Sequence, residues 1–195
     1  KWQPGQSDRV SVPTVVRRVL ERIAFEARES EFIDEKSGVS ARLPISALEH
    51  LIAAGELRAL RNGSAQTMVR VTDLLAVVPA VNGKVELVYE GEQEGPAGVA
   101  LALVSKAIRR EFPTVFPDIE SVKRGKVEDP YQPIVAWFNQ NDVSVLRDQP
   151  DEDYAEALRR VEGLKEVVSK YCPGVKGTEA LAYMEFVLHG LAAYN

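Results

Sequence analysis

An amphipathic helical pattern runs through residues 13–28, which read PTVVRRVLERIAFEAR. Its apolar residues recur at three- and four-residue steps, the spacing that places side chains on one face of an α-helix. They are Val16, Val19, Leu20, Ile23, Ala24 and Ala27. Pro13 is acceptable in the first turn, where a backbone N–H has no helical partner. The pattern therefore predicts an α-helix that buries this face.

Similar patterns predict helices along most of the remaining chain. The expected ranges are about 44–62, ended by Gly63; 73–78, capped by Thr72 and ended by Pro79; 96–112; 130–139, expected in the core; 151–171, capped by Asp151 or Asp153; and from about 178 onward. In the helix over 44–62, the expected buried stripe is Ile45, Leu48, Leu51, Ile52 and Leu60. Residues 114–129 give no clear pattern, and one brief strand is expected over 84–89. The predicted fold class is mainly α.

The acidic run Glu90–Gly95 is the best internal boundary, because it has little apolar surface to bury and contains turn-forming glycines. We therefore expect two helical units. Residues 11–90 would form the first and residues 96–195 the second. The polar residues 1–10 are expected to be a linker or frayed end.

Composition excludes several classes of protein. The 195-residue chain has one cysteine, Cys172, so it can form no internal disulfide and no cysteine zinc site, which fits a reducing, cytoplasmic setting. Its apolar stretches are far shorter than the roughly 20 residues that span a bilayer, and its N-terminus lacks signal-peptide character. We therefore expect a soluble protein. A net charge of −5 disfavours bulk binding to nucleic acid.

The sequence contains few residues of the types that commonly carry out catalysis. The two histidines, His50 and His189, lie inside predicted helices. We expect His50 to be a residue of the helix face rather than a base, and His189 to pack in the core or an interface. Cys172 follows a helix C-terminus, where the dipole raises a thiol pKa, so we expect it to be inert. We assign no catalytic residue and no metal site.

Phosphate and cation motifs are also missing. Asn82–Lys84 and Lys176–Thr178 lack the spacing of a phosphate-binding loop, and we interpret both as turns. The acidic runs 90–94 and 151–153 lack the spacing of a Ca²⁺ loop. The basic residues Arg109–Arg110 and 123–126 are interpreted as solvated surface.

Residues 28–43, which read RESEFIDEKSGVSARL, contain one charge in an unfavourable place. Arg42 falls in the first turn of the predicted helix, where the dipole disfavours a cation. Such an arginine indicates a partner. That partner is either a nearby carboxylate, Asp34 or Glu35, or a ligand, and the local sequence leaves both open.

Residues 15–87 resemble the helical lid of AAA+ ATPases related to the magnesium chelatase ATPase subunit. The resemblance is carried by FEARES at 25–30, DEKSGVSARL at 34–43, VTDL at 71–74 and VPAVNGKVE at 78–86. The run SGVSAR is similar to the sensor-2 segment of that group, in which an arginine that begins a lid helix reads the ATP phosphates. The resemblance gives this role to Arg42, with Ser37, Gly38 and Ser40 in support. Guanidinium chemistry suits phosphate, because its donors form a rigid, permanently charged fork.

The family's ATPase core, with its phosphate loop, acidic Mg²⁺ motif and arginine finger, has no counterpart in this chain. The chain therefore resembles the C-terminal portion of a longer AAA+ protein. The resemblance implies a lid and helical module that couples ATP hydrolysis to remodelling of a partner. ATP and Mg²⁺ would bind the whole protein, and this chain alone would bind neither and would be inactive.

The implied partners are the AAA+ core, neighbouring subunits of a ring and an unidentified remodelling target, with no membrane and no nucleic acid among them. Two other functions stay open. One is a helical protein–protein adaptor in which Arg42 is structural. The other is a transcription-linked DNA-binding protein, which the acidic charge disfavours.

Overall fold

The structure is a computed structural model that describes residues 9–34, 36, 39–82 and 84–194. It confirms the mainly α class. The helices of the described ranges are α1 (Thr14–Arg28), α2 (Leu43–Asn62), α3 (Val78–Asn82), α4 (Tyr89–Glu94), α5 (Pro96–Glu111), α6 (Ile119–Lys123), α7 (Gln132–Phe138), α8 (Asp151–Arg159), α9 (Leu164–Tyr171) and α10 (Gly177–Ala193). Short 3₁₀ helices span Val71–Val77 and Phe112–Thr114.

Helix α1 lies at the centre of the fold. All six apolar positions predicted for its inner face are buried, as the amphipathic pattern requires. It packs most extensively against α5. The two helices run in opposite directions, because Arg18 pairs with Glu111 while Glu26, two turns later in α1, pairs with Lys106.

Helices on both sides of Glu90–Gly95 share one hydrophobic core, to which α1, α2, α5 and α10 all contribute. The division into units 11–90 and 96–195 stays a prediction. The acidic run itself is not an extended linker. It forms most of helix α4, in which Gly91 lies so close to Phe32 that an added Cβ would be 2.4 Å from the Phe32 carbonyl oxygen.

Two strands, β1 (Val10–Ser11) and β2 (Thr67–Met68), form a parallel pair. Val10 is only 1% exposed, so the linker predicted for residues 1–10 is wrong at this position. Residues 1–8 lie outside the described ranges. The strand predicted over 84–89 is reduced to a single antiparallel bridge between Leu87 and Ile33.

Helix α2 begins one residue before the predicted start and ends as predicted at Gly63, whose left-handed φ of 66° suits glycine. The predicted stripe is only partly correct. Leu51 and Ile52 are buried, whereas Ile45 is 56% and Leu60 74% exposed. The inner face is instead built from Leu43, Ala47, Leu51, Ile52, Gly55, Arg58 and Ala59.

The short helix predicted over 73–78 starts earlier and differs in type. A 3₁₀ helix covers Val71–Val77, with Arg70 rather than Thr72 at its N-cap. Pro79 does not end the helical stretch. It lies in the first turn of α3, where its missing N–H costs no hydrogen bond.

In the C-terminal half, α5 and α10 match their predicted ranges closely, and the unassigned residues 114–129 contain α6. The range 130–139 was expected in the core. It forms α7, which buries Ile134 but leaves Val135 and Phe138 largely exposed.

The single helix predicted over 151–171 is two helices, α8 and α9, because Gly163 between them adopts a φ of 81°. A Cβ at Gly163 would also lie 2.7 Å from the Pro133 Cβ. Both features select glycine at this bend. None of the helices in the described ranges is long and apolar enough to cross a bilayer.

Candidate functional site

Arg42 directly precedes helix α2, and Ser40 fixes its backbone. The Arg42 N–H donates a hydrogen bond to the Ser40 Oγ at 3.2 Å, and the Leu43 N–H donates to the Ser40 carbonyl at 2.9 Å. Serine favours helix starts because the first N–H groups lack helical partners. Ser40 therefore sets the point from which the Arg42 side chain leaves the backbone. Ser37 and Gly38 lie outside the described residues.

The Arg42 side chain is exposed. Its guanidinium donates no hydrogen bond to, and forms no ion pair with, any residue in the described ranges. Of its two candidate carboxylate partners, Asp34 accepts a hydrogen bond from the Lys36 N–H at 2.9 Å, and Glu35 is not among the described residues. The charge also faces the positive end of the α2 dipole. With respect to the described residues, the guanidinium is therefore open to an external anion.

The connector before Arg42 is held against the segment that leads into α4. The Asp34 N–H donates to the Glu86 carbonyl at 2.9 Å, and the Val88 N–H donates to the Phe32 carbonyl at 3.1 Å. These bonds flank the bridge between Ile33 and Leu87. Residues 32–34 are thus held against residues 86–88 by backbone contacts.

This arrangement fits a contact to one phosphate group. A guanidinium can bind two phosphate oxygens at once, and the start of the 20-residue helix α2 adds a favourable dipole. Across the described ranges, no three His, Cys, Asp or Glu side chains converge as a metal site.

The other reactive residue types are placed apart from Arg42. His50 is exposed on α2, and His189 lies on α10 with its Nε2 3.8 Å from the Glu185 Oε1. Cys172 follows α9 and is half-buried. Burial raises the pKa of its thiol, with Arg18 acting in the opposite direction. A high thiol pKa disfavours the reactive thiolate.

A buried polar cluster that could not be predicted from the sequence consists of Arg58, Arg70, Asp73, Tyr154 and Glu185. Arg58 is 3% exposed, and its Nη1 donates to both carboxylate oxygens of Asp73, at 2.7 and 2.8 Å. Burial raises the pKa of the Asp73 carboxyl, and Arg58 opposes this effect. The Arg70 N–H also donates to Asp73, at 2.8 Å.

The Arg70 side chain connects the first half of the chain to α8. Its Nη2 lies 2.6 Å from the Asp151 Oδ1, and its guanidinium carbon lies 4.2 Å from the centre of the Tyr154 ring. Such a cation–π contact is strengthened when water is excluded, and both side chains are almost completely buried.

Glu185 carries the cluster into α10. Its carboxylate accepts hydrogen bonds from the Val71 N–H at 2.6 Å, the Thr72 N–H at 3.1 Å and the Tyr154 hydroxyl at 3.0 Å. Glu185 thereby satisfies two N–H groups at the start of the 3₁₀ helix. Burial, together with the Glu185 charge, raises the pKa of Tyr154 well above its ordinary value.

The same arginines hold the segment 146–149 through its backbone. Arg70 donates to the carbonyls of Leu146 and Gln149, and Arg58 donates to the carbonyl of Arg147. A carbonyl in a loop has no partner in a helix or sheet, so it must accept a hydrogen bond from water or from a side chain. The cluster thus joins α2, the 3₁₀ helix, α8, α10 and this segment. Arg58 pairs with Asp73 inside the cluster, and Arg70 pairs with Asp151 at the start of α8.

We assign a structural role to the cluster, because its side chains are buried and hydrogen-bonded within the protein, apart from the Nε atoms of Arg58 and Arg70, which have no hydrogen-bond partner. One signal in the sequence was available. Arg70 and Asp73 interrupt an apolar run over 68–78, and Glu185 is the one charge within 181–188, where a charged residue must be paired if it is buried.

Comparisons of this chain with protein-family models, characterised proteins and solved structures gave no match.

Proposed function

We propose that this chain is the nucleotide-sensing lid and helical C-terminal module of an AAA+ ATPase similar to the magnesium chelatase ATPase subunit. One observation supports the proposal most directly. Arg42 presents an exposed guanidinium at the start of α2 without a partner in the described ranges. An arginine so placed opposes the helix dipole, and an external phosphate would make the position favourable.

In this proposal Arg42 binds and orients a phosphate of the nucleotide in the whole protein. ATP with Mg²⁺ would supply the phosphoryl group that is hydrolysed. The bidentate fork of Arg42 favours the state that still carries the terminal phosphate, and loss of that phosphate removes the contact. Because Arg42 lies at the head of α2, whose inner face is part of the core, the change would reorient the lid as a body.

The proposal predicts that this chain alone binds Mg-ATP weakly. A hydrogen bond to a charged group contributes about 1.5–3 kcal/mol, whereas a dissociation constant of about 1 μM requires about 8 kcal/mol. Calorimetric titration with Mg-ATP should therefore show no binding at micromolar concentrations. A clear micromolar isotherm would reveal a nucleotide site within this chain and would contradict the single-contact account.

The decisive test is ATP turnover by the whole AAA+ protein that includes this chain. Arg42→Ala should lower kcat/KM at least about tenfold, because it removes a hydrogen bond to a charged phosphate. Such a bond contributes about 1.5–3 kcal/mol, and about 1.4 kcal/mol already corresponds to a factor of ten in rate. Arg42→Lys should retain part of the rate, since lysine keeps the charge but loses the fork.

The matched control is Arg61→Ala. Arg61 is exposed in the last turn of the same helix, where it complements the dipole. Its removal should leave turnover unchanged. Thermal unfolding of the variants should agree within about 1 kcal/mol, since both side chains are at the surface. Equal turnover for Arg42→Ala and the parent protein would remove the nucleotide role.

The second candidate is the protein–protein adaptor, and a specific observation favours it. The outer face of α2 leaves Leu57 and Leu60 exposed, next to each other on the helix surface. Exposed apolar side chains of this size are common at docking surfaces. Unchanged ATP turnover in Arg42→Ala, together with weaker partner binding in Leu57→Ser/Leu60→Ser, would select the adaptor.

A further inference from the structure

Two basic clusters that are separate in the sequence lie on one face of the fold. Arg109 and Arg110 occupy the last turn of α5, and Lys123 and Arg124 lie at the end of α6. With Lys106, one turn earlier in α5, they define what we call the basic face. Arg109, Arg110, Lys123 and Arg124 are exposed, and the side chains of Arg109 and Lys106 are 49% and 44% exposed.

Contacts among side chains show that the two clusters are adjacent. The Glu120 carboxylate lies between them, 4.0 Å from the Arg109 Nη2 and 3.3 Å from the Arg124 Nη2. Tyr194 joins them a second time. Its hydroxyl donates to the Arg109 carbonyl at 3.0 Å, and its own carbonyl accepts from the Lys123 Nζ at 3.1 Å.

The basic face borders a groove of about 640 Å³. Its charged and aromatic lining residues are Lys106, Arg109, Arg110, Asp118, Glu120 and Tyr194. The two carboxylates are already engaged. Asp118 caps α6 by accepting from the Ser121 N–H and hydroxyl, while Glu120 bridges the two arginines. A third carboxylate, Glu26, lies 3.0 Å from the Lys106 Nζ. Five cations against three carboxylates leave an excess of two positive charges, in a chain whose net charge is −5.

We infer that the basic face binds an acidic segment of a partner protein. The field of a local positive patch on a negative protein steers a negatively charged segment to that patch and repels it elsewhere. Separate carboxylates on a peptide can contact the cations in turn while avoiding Asp118 and Glu120. This inference does not depend on the nucleotide role proposed for Arg42.

Nucleic acid fits the same face less well. A polynucleotide presents a dense row of phosphates, which would pass over the two carboxylates of the groove. Its bases would also need an open aromatic surface for stacking. The Tyr194 ring does not offer one on the side of Arg109, whose guanidinium carbon lies 4.9 Å from the ring centre.

The test uses the full chain and a fluorescent glutamate–glycine repeat peptide of about 16 residues, with fluorescence anisotropy at about 50 mM salt, where screening is modest. The glutamate peptide should bind, and the matching glutamine–glycine peptide should not. Arg109→Glu/Arg110→Glu should weaken binding at least about tenfold, because it reverses two of the five charges of the face.

The matched control is Arg159→Glu/Arg160→Glu. These two arginines are also exposed at the end of a helix, α8, so the net charge change is the same. The control should alter affinity less than about twofold. If charge reversal at the end of α5 impairs folding, which circular dichroism would show, Arg110→Gln/Lys123→Gln removes two charges without introducing repulsion.

Three outcomes would overturn the inference. The first is absence of binding by the glutamate peptide. The second is equal loss of affinity in the basic-face and α8 variants, which would show a response to net charge alone. The third is tighter binding of a single-stranded DNA of similar length than of the glutamate peptide, which would make the face a nucleic-acid surface instead.

Discussion

Asp73→Ala should lower the free energy of unfolding by about 3–5 kcal/mol, one of the two largest effects that the structure predicts. The substitution leaves Arg58 buried and deprives it of the carboxylate that now lies 2.7 Å away. It also removes the acceptor for the Arg70 N–H. Urea unfolding followed by circular dichroism measures the loss, as a lower midpoint with an unchanged slope.

Two controls separate the loss of charge compensation from a general effect of alanine. Asp142 is exposed in the loop after α7, and Asp142→Ala should change stability by less than about 0.5 kcal/mol. In the Arg58→Met background the cost of Asp73→Ala should fall, because no uncompensated cation remains. An equal cost in both backgrounds would show that Arg58 is not the reason for the effect.

The pairing of residues in the buried polar cluster could not be predicted from the sequence. Asp73 and Glu185 are 112 positions apart in the sequence, and their common contact with residues 70–72 arises only from tertiary packing. Helix periodicity reports which face of one helix is apolar, and it carries no information about which distant residue meets that face. The sequence shows that Arg70, Asp73 and Glu185 interrupt apolar runs, but it does not show which residues they pair with.

The buried faces of individual helices could also be predicted only where the apolar pattern is clear. In α1 the six predicted apolar positions are all buried, so most of the buried face could be predicted from the pattern. The pattern did not predict that Val15 and Glu26 are buried as well, while Phe25 is 54% exposed. Helix α2 is apolar on several sides, so the pattern could not select a face, and Leu60 was placed in the core by mistake. Packing selected the side that carries Gly55, where an added Cβ would lie 3.1 Å from the Val10 side chain.

The candidate site could be predicted only as far as its residue types. The sequence indicates that Arg42 needs a partner, which is either a nearby carboxylate or a ligand. In the structure the candidate carboxylate Asp34 accepts a hydrogen bond from the Lys36 N–H. A ligand is recognised from its contacts, and in the proposed function Arg42 would supply one such contact. The remainder of a nucleotide site has to be sought in the AAA+ core that the proposal invokes.

Phe112→Ala should lower the free energy of unfolding by about 3–5 kcal/mol, the usual range for deleting a buried aromatic ring. Phe112 is completely buried at the end of α5. Its ring centre lies 5.4–6.3 Å from those of Phe116, Phe186, Tyr131 and Tyr194, so it joins α5, α7 and α10. Phe138→Ala, at a side chain 39% exposed, should cost clearly less in the same urea titration.

A second substitution tests the packing of Phe112 through the sign of a change in the free energy of unfolding. Gly190 in α10 faces the ring so closely that an added Cβ would lie 2.1 Å from the Phe112 Cδ2. Gly190→Ala should therefore destabilise the parent protein, although alanine is favoured over glycine inside a helix by about 1 kcal/mol. In the Phe112→Ala background the clash is absent, so the same substitution should become neutral or stabilising. A destabilisation of equal size in both backgrounds would mean that the Phe112 ring does not occupy the space in front of Gly190.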